Sequence, residues 1–180
     1  MDLNSNNIQN ISNNTFSKIR SLYELYLSSN SLTSLNFISG KNIRLFDYIK
    51  KLDLSHNQIE FLNNNTFVGL KRLKDLYLGH NLINKIEPNA FKNLDRFNSL
   101  QLKANRLNDI DNVFNEYCSV KVLNLLSNNL SIISSSVFEE LSNLNTLILK
   151  DNNIKDIGSK TFENLKKLSY LYLSLNKYQK

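Results

Sequence analysis

The sequence predicts a solenoid, a fold in which short coils of chain stack side by side along one axis. An asparagine recurs along the whole chain, and consecutive copies are separated by 23 to 27 residues. A period in this range is typical of repeat proteins, in which each unit buries its apolar side against its neighbours. No linker or change of composition interrupts the repeat. We therefore expect residues 1–180 to form one domain of about seven repeats with partial units at both ends.

Each repeat contains two leucines that flank a variable residue, as in the segment LYLGHN from Leu76 to Asn81. Because alternate residues of a strand point to opposite faces, Leu76 and Leu78 are predicted to face the core while Tyr77 faces solvent. Apolar residues two and five positions past each asparagine supply further core positions. A phenylalanine ten positions past the asparagine forms a predicted aromatic column: Phe16, Phe67, Phe91, Phe138 and Phe162.

The recurring asparagine itself requires an explanation, because it is polar and stands within an apolar pattern. A coil must turn after its strand, and the turn buries backbone groups that no strand pairing satisfies. An amide side chain carries both a donor and an acceptor for such groups. The sequence therefore predicts a structural asparagine column, with direct ligand binding as the alternative: Asn30, Asn57, Asn81, Asn105, Asn128 and Asn152.

Two repeats depart from the pattern. The repeat that begins at Asn30 is 27 residues long, and its extra residues are expected near Asn36 to Asn42. The apolar spacing resumes three positions late, at Ile43, Phe46 and Ile49. The repeat from Asn105 is one residue short, with Phe114 and Tyr117 continuing the spacing. We interpret both changes as tolerated drift, although insertions in repeat proteins also map to functional loops.

Seven copies of the pattern LxxLxLxxNxLxxI stand in register, and on these residues the chain resembles the leucine-rich repeat family, in its typical 24-residue form, over essentially all 180 residues. The resemblance implies an α/β solenoid curved into a horseshoe, with a parallel β-sheet on the concave face and short 3₁₀ or irregular segments on the convex face. It also implies a non-catalytic protein-interaction module of a receptor, adhesion or matrix protein, and hence an extracellular or cell-surface location. An intracellular scaffold, or the recognition arm of an enzyme whose catalytic domain lies outside this chain, are the alternatives.

Ligand binding is expected at the variable strand positions of the concave face, which the repeat aligns into columns. Apolar and aromatic residues at predicted solvent positions often mark an interface, and tyrosine is enriched at binding hot spots. Strand propensity alone is the competing explanation. The candidate ligand-binding residues are Tyr26, Asp53, Tyr77, Lys103, Val122, Leu126, Ile148, Lys150, Tyr170 and Tyr172.

The expected partner is a protein or peptide. The net charge is +6, but along the sequence the basic residues are dispersed among acidic ones, as where Asp53 and Asp75 follow basic pairs. No basic stripe with interleaved aromatic residues stands out, so we expect no nucleic-acid partner. No run of residues is long enough to span a membrane, and no membrane contact is expected within this segment.

No constellation for catalysis, metal binding or cofactor binding stands out, so we expect no enzyme activity and no cofactor. His56 and His80 precede the asparagine in adjacent repeats and could lie side by side. A metal site or a pH switch would follow from that arrangement, but histidine at the strand exit is the simpler interpretation. The single cysteine, Cys118, is interpreted as a buried core residue and, in second place, as a reactive thiol.

The two ends of the chain lack the cysteine-rich caps that the resemblance implies for extracellular members. We therefore expect a segment of a longer protein that self-associates through its uncapped ends when isolated. Sequons at Asn10, Asn13, Asn64 and Asn129 would favour an extracellular location. Asparagine, serine and threonine are so frequent here that chance explains the sequons, and they carry no weight.

Overall fold

The structure is a computed structural model that describes residues 1–19, 21–39, 43–114 and 118–178. Tyr117 and residues 40–42 of the extra segment in the long repeat lie outside this range, so the expectations for them are not addressed by the structure.

Short strands mark the successive coils. Strands in the described residues are β1 (Glu24–Tyr26), β2 (Lys51–Asp53), β3 (Phe61–Leu62), β4 (Asp75–Tyr77), β5 (Lys85–Ile86), β6 (Ser99–Gln101), β7 (Val122–Asn124), β8 (Ile132–Ile133), β9 (Thr146–Ile148), β10 (Asp156–Ile157) and β11 (Tyr170–Tyr172). In β2, β4, β6 and β9 the middle leucine is buried between two half-buried neighbours, as alternation along a strand requires.

One strand from each repeat joins a seven-stranded parallel sheet in the order β1-β2-β4-β6-β7-β9-β11. The pairing is in register, so that Leu76 stands between Leu52 and Leu100. Asp2 adds an isolated parallel bridge to Tyr26 beyond β1. The predicted parallel solenoid is thereby confirmed, because among the described residues each strand of this sheet pairs with those of the preceding and following repeats.

The core runs along the axis of the solenoid. Leu76, Leu78 and Ile83 are fully buried, and so are their counterparts in the neighbouring coils. Burial of each such side chain stabilises the fold by about 1.5–3 kcal/mol. Since each coil contributes a single strand to the sheet, most of this burial comes from the coils on either side of it.

The opposite, convex side contains little regular structure. Two-residue strands pair as β3 with β5 and β8 with β10, both parallel. Helix is limited, among the described residues, to α1 (Asn36–Ser39) and a 3₁₀ helix (Ile43–Tyr48), both in the long repeat. No helix in the described ranges is long and apolar enough to cross a membrane.

The aromatic column is continuous only in parts. The rings of Phe67 and Phe91 stack with centroids 5.8 Å apart, and those of Phe138 and Phe162 with centroids 6.3 Å apart.

The long repeat fills the corresponding space in another way. Phe37 of α1 packs edge-on against Phe16 at 6.2 Å and against Phe46 at 6.3 Å between centroids. The extra residues therefore bring an aromatic side chain of their own into the core, which the spacing pattern did not predict.

The residue before each recurring asparagine has a left-handed backbone. Its φ lies between 53° and 59° in every coil, at Ser5, Ser29, His56, His80, Ala104, Ser127, Asp151 and Leu175. None of these residues is glycine, although the left-handed conformation costs other residues about 1–2 kcal/mol. The strand thus ends in a tight turn that points the asparagine side chain into the core.

Candidate ligand-binding face

The concave face is the solvent-exposed side of the seven-stranded sheet, and its side chains form rows that run from strand to strand. The middle row contains Tyr26, Asp53 and Tyr77, which are successive Cα partners across β1, β2 and β4. It continues through Gln101 and Asn124 to Ile148 and Tyr172. The candidate residues of this row therefore stand in one line across the sheet.

In the first half of the concave face, Lys51, which is not among the predicted ligand-binding residues, lies between two of them. The ammonium nitrogen of Lys51 lies 5.3 Å from the ring centroid of Tyr26 and 5.3 Å from that of Tyr77. The Tyr26 hydroxyl donates a hydrogen bond of 2.8 Å to Glu24 Oε2. Lys51 lies in β2 between Glu24 and Asp75, so only the stacking of three coils forms this group.

The side chains of this group shift one another's pKa values. The hydrogen bond to Glu24 is the main reason that the pKa of Tyr26 is raised. The pKa of Lys51 is also raised, chiefly by the charge that Tyr77 acquires when it ionises. Asp53 points elsewhere, because its Oδ1 accepts hydrogen bonds from the backbone N–H of Ser55 at 2.9 Å and from the Ser55 hydroxyl at 2.6 Å.

A polar pair separates the two halves of the concave face. Asn124 donates a hydrogen bond of 2.9 Å to Gln101 Oε1 and accepts one of 3.1 Å from the backbone N–H of Leu126. Asn124 is therefore buried, although its position in the strand alternation points it to solvent.

The second half of the concave face is mainly apolar and aromatic. Val122, Leu126 and Ile148 are half-buried. Tyr170 and Tyr172 are 56% and 47% exposed. We call these five residues the concave patch. Ile148 pairs with Tyr172 in adjacent strands, whereas Thr146 stands between Val122 and Tyr170.

The two candidate lysines lie on opposite sides of Leu126. Lys150 is exposed at the edge of the concave patch, and its backbone oxygen accepts a hydrogen bond from Ser127. Lys103 extends away from the concave patch across Gly79, where a Cβ would meet Lys103 Cγ at 2.9 Å. The absence of a side chain at Gly79 thus leaves room for the aliphatic part of Lys103. Lys103 is close enough to His80 for its charge to act on the imidazole.

His56 and His80 are stacked, with ring centroids 4.2 Å apart and an angle of 11° between the planes. Desolvation, His56 and Lys103 together lower the pKa of His80. No group of three or more histidine, cysteine or acidic side chains that could hold a metal ion occurs among the described residues. Both histidines occupy the left-handed position before the asparagine. This supports the interpretation that they are residues of the turn that ends each strand.

Cys118 is buried, and burial raises the pKa of its thiol to about 11. Reactive cysteines are exposed and have a lowered pKa, so Cys118 has the properties of a core residue.

The asparagine column makes the same hydrogen bonds in each coil. Asn81 Oδ1 accepts from the backbone N–H of Ile59 at 3.0 Å, and its Nδ2 donates to the carbonyl oxygens of Leu54 at 2.9 Å and Leu78 at 3.1 Å. The corresponding bonds recur at Asn30, Asn57, Asn105, Asn128 and Asn152. Each amide therefore joins the turn of its own coil to that of the preceding coil.

The chain belongs to the leucine-rich repeat family. The leucine-rich repeat family matches residues 47–107 and 118–178, which is more than half of the chain. Repeat spacing in the sequence is compatible with the typical form of the family. No curated protein matches the chain in sequence.

Two solved structures share the fold. A crystal structure of a TLR13–ssRNA13 complex is 28% identical in sequence, with a TM-score of 0.87, and the match covers 97% of this chain and 24% of that chain. An internalin (InlF) from Listeria monocytogenes str. 4b F2365 is 23% identical, with a TM-score of 0.70, and the match covers 97% of this chain and 47% of that chain. The chain thus spans about a quarter and about half of the length of these two proteins.

The expectation that excludes a nucleic-acid partner is wrong, because one of these structures shows TLR13 in complex with single-stranded RNA. Along the chain, basic residues stand next to acidic ones and form no stripe. In a solenoid, residues 23 to 27 positions apart become neighbours, so dispersed charges can form a continuous surface. A stripe of that kind appears when residues are compared from coil to coil and not along the chain.

Proposed function

We propose that the chain is a non-catalytic interaction module that binds a polypeptide on the concave patch. Family membership supports the general role, since leucine-rich repeats serve in interaction. The single observation that carries the finer proposal is the exposure of two tyrosines beside three half-buried aliphatic side chains on one side of the sheet. Contiguous apolar surface of this kind often marks a binding site.

The division of the concave face supports one type of ligand. Val122, Leu126 and Ile148 offer contacts to apolar side chains, while Tyr170 and Tyr172 add hydroxyl groups that bind backbone amides. Lys150 at the rim would pair with an acidic group of the ligand. A polypeptide supplies all three types of group, and tyrosines contribute strongly to such interfaces.

The test begins with random peptides displayed on phage and selected on the immobilised chain. Binding of the selected peptides is then measured by fluorescence anisotropy with the double variant Ile148→Asp, Tyr172→Ser. We expect the affinity to fall by about 30-fold or more, which corresponds to the loss of about 2 kcal/mol at a hot spot. Peptides that bind the double variant as tightly as the wild type would refute this site.

A matched control is available on the convex side. Ile132 is 69% exposed and lies in β8, away from the concave face. Ile132→Asp introduces the same charge at an exposed isoleucine, and it should leave peptide binding unchanged. Far-ultraviolet circular dichroism of all variants separates loss of binding from loss of fold.

We further propose that residues 1–180 form one leucine-rich repeat domain, that the asparagine column is structural, and that the domain acts outside the cell or at its surface. The location depends on the family resemblance, with an intracellular scaffold as the alternative. Sequencing of the native transcript past both ends of this segment tests the location. A leader peptide and cysteine-rich flanks would support it, and an uninterrupted short reading frame without a leader would count against it.

A further inference from the structure

A row of positively charged residues lies along one edge of the sheet, in the turn that enters each strand. Residues one position before the strands are joined by backbone hydrogen bonds from coil to coil. Lys74 N–H donates to Lys50 O at 2.8 Å, Asn98 N–H to Lys74 O at 2.7 Å, and Lys121 N–H to Asn98 O at 2.9 Å. This ladder holds Lys50, Lys74 and Lys121 in one line.

A second line runs beside it, three positions before each strand, and contains Arg72, Arg96 and Lys167. Together the two lines form what we call the basic edge: Lys50, Arg72, Lys74, Arg96, Lys121 and Lys167. All six side chains are exposed. Neither line contains an acidic residue.

The cations of the basic edge have no ion-pair partner within the part of the chain that the structure describes, but Asp75 lies beside the first line, where its Oδ1 accepts a hydrogen bond of 3.4 Å from Asn98 Nδ2. Lys167 Nζ instead donates a hydrogen bond of 2.6 Å to Asn143 Oδ1 on the neighbouring coil. Unpaired charges of one sign along a line attract a polymer of the opposite sign.

A polar groove opens in the middle of the basic edge. It has a volume of about 490 Å³ and is lined by residues that include Lys74, Arg96, Asn98, Ser119, Lys121 and Asn143. Asp95 also lines the groove and Asp75 is hydrogen-bonded to Asn98 of the lining, but three cations outnumber these two carboxylates. The amide and ammonium donors of this set suit an oxygen-rich anionic group such as a phosphate.

Aromatic rings lie at the β1 end of the basic edge. Tyr23 is 51% exposed, and its ring centroid is 6.2 Å from that of Tyr48. Lys50 Nζ lies 5.1 Å from the Tyr23 centroid, and the Arg72 guanidinium carbon lies 4.8 Å from the Tyr48 centroid. Rings and guanidinium planes of this kind are the surfaces on which unpaired bases stack.

We propose that the basic edge binds single-stranded nucleic acid, with phosphates along the two lines of cations and bases stacked at Tyr23 and Tyr48. Lys50 and Lys167 are five strand steps apart, and at about 4.8 Å per step the binding surface is about 24 Å long. That length accommodates on the order of seven stacked nucleotides at about 3.4 Å each. An acidic peptide would use the cations but would bring no bases to stack on the two rings.

This site goes beyond the proposed polypeptide site, because the basic edge and the concave patch share no residue. The two can be tested separately. Ile148→Asp with Tyr172→Ser should leave nucleic-acid binding unchanged, and substitutions in the basic edge should leave peptide binding unchanged.

The test is a titration of a fluorescein-labelled, mixed-sequence 12-nucleotide RNA with the whole chain, followed by anisotropy between 50 and 200 mM salt. The triple variant Lys74→Gln, Arg96→Gln, Lys121→Gln should bind at least about tenfold more weakly at low salt. It should also reduce the slope of log affinity against log salt by about 2, since about 0.7 counterion is released for each contact to a single strand.

The control triple variant, Lys92→Gln, Arg106→Gln, Lys155→Gln, removes the same charge from exposed positions outside the basic edge. It should keep most of the affinity and the full salt slope. An equal loss in both triple variants, or no binding by the wild type at 50 mM salt, would overturn the proposal.

Two further measurements distinguish RNA from an acidic polypeptide as the ligand of the basic edge. Tyr23→Leu should weaken RNA binding by about fivefold or more if bases stack there, and should not change the salt slope. Poly-glutamate of equal charge should bind more weakly than the RNA. If poly-glutamate binds as tightly as RNA and Tyr23→Leu has no effect, the basic edge is a surface for acidic polypeptides and the nucleic-acid assignment fails.

Discussion

The side-chain oxygen of Asn81 accepts a hydrogen bond of 3.0 Å from the backbone N–H of Ile59, which lies 22 residues earlier in the preceding coil. Both groups are buried, and the same amide donates to Leu54 O in the preceding coil and to Leu78 O in its own coil. Asn81 therefore connects the turns of two successive coils through buried hydrogen bonds, as strand pairing connects the strands of the sheet.

Asn81→Ala is expected to lower the free energy of unfolding by about 3 kcal/mol, because the N–H of Ile59 would remain buried without a partner. Urea unfolding followed by circular dichroism measures the change. Asn84→Ala is the matched control, since Asn84 is exposed in the same coil, and it should change stability by less than about 0.5 kcal/mol. Equal effects of the two substitutions would show that the column is not structural.

Ala104→Gly is expected to stabilise the chain. Ala104 has a φ of 53°, and relief of the left-handed strain should contribute about 1–2 kcal/mol, against an entropic cost of about 0.5–1 kcal/mol for glycine. The net gain in the free energy of unfolding, measured with urea, should be about 0.5–1 kcal/mol.

Ala90, the other alanine of the chain, provides the comparison. It is fully buried and lies outside the left-handed region. Ala90→Gly loses a buried methyl group as well as backbone order, so it should destabilise by about 1–2 kcal/mol. If both glycine substitutions destabilise, the turn before the asparagine does not store backbone strain.

Phe37→Ala should destabilise the chain by about 3–5 kcal/mol, because Phe37 packs against two other phenylalanine rings and is only 5% exposed. Thermal unfolding is a convenient measurement. Phe61→Ala is the control at an exposed ring, 37% accessible, and should cost about 1 kcal/mol or less. A small effect at Phe37 would mean that the long repeat packs around α1 in another way.

Stability should fall as the pH is lowered from 7.5 to 5.5, partly through His80. The pKa of His80 is below its ordinary value in the folded chain, so the unfolded chain binds more protons between the two pKa values. This contribution is absent above the unfolded pKa of about 6.5 and destabilises the fold as pH falls through that value.

The variant His80→Asn removes the titrating group, and asparagine tolerates the left-handed backbone at that position. Urea unfolding at the two pH values should show a smaller loss of stability in the variant than in the wild type. Identical losses would mean that His56, Lys103 and burial do not disfavour the charged form of His80 enough to affect folding.

The amino-acid sequence was sufficient to predict the architecture. Leu76 and Leu78 alternate with Tyr77 and recur with the period of Asn81, and a period repeated along one chain leaves only one in-register way to stack the units. The pairing of Leu76 with Leu52 and Leu100 follows from that register. Core positions were predictable for the same reason, because alternation decides which side of a strand faces inward.

Side-chain neighbours between coils were decided only by the tertiary structure. Lys51 contacts the rings of Tyr26 and Tyr77, which are 25 and 26 residues away in sequence. The repeat pattern does not determine the side-chain conformation of a lysine. Asn124 is buried by its hydrogen bonds to Gln101 and Leu126 although its place in the alternation is exposed.

The basic edge shows the same division between sequence and structure. Its cations are dispersed among acidic residues along the chain, but they fall into lines without an acidic residue when residues are grouped by their position in the repeat. Repeat spacing in the sequence determines which residues share a row. The charge of a surface, and the rings that lie beside it, depend on distances across coils that form only when the chain folds.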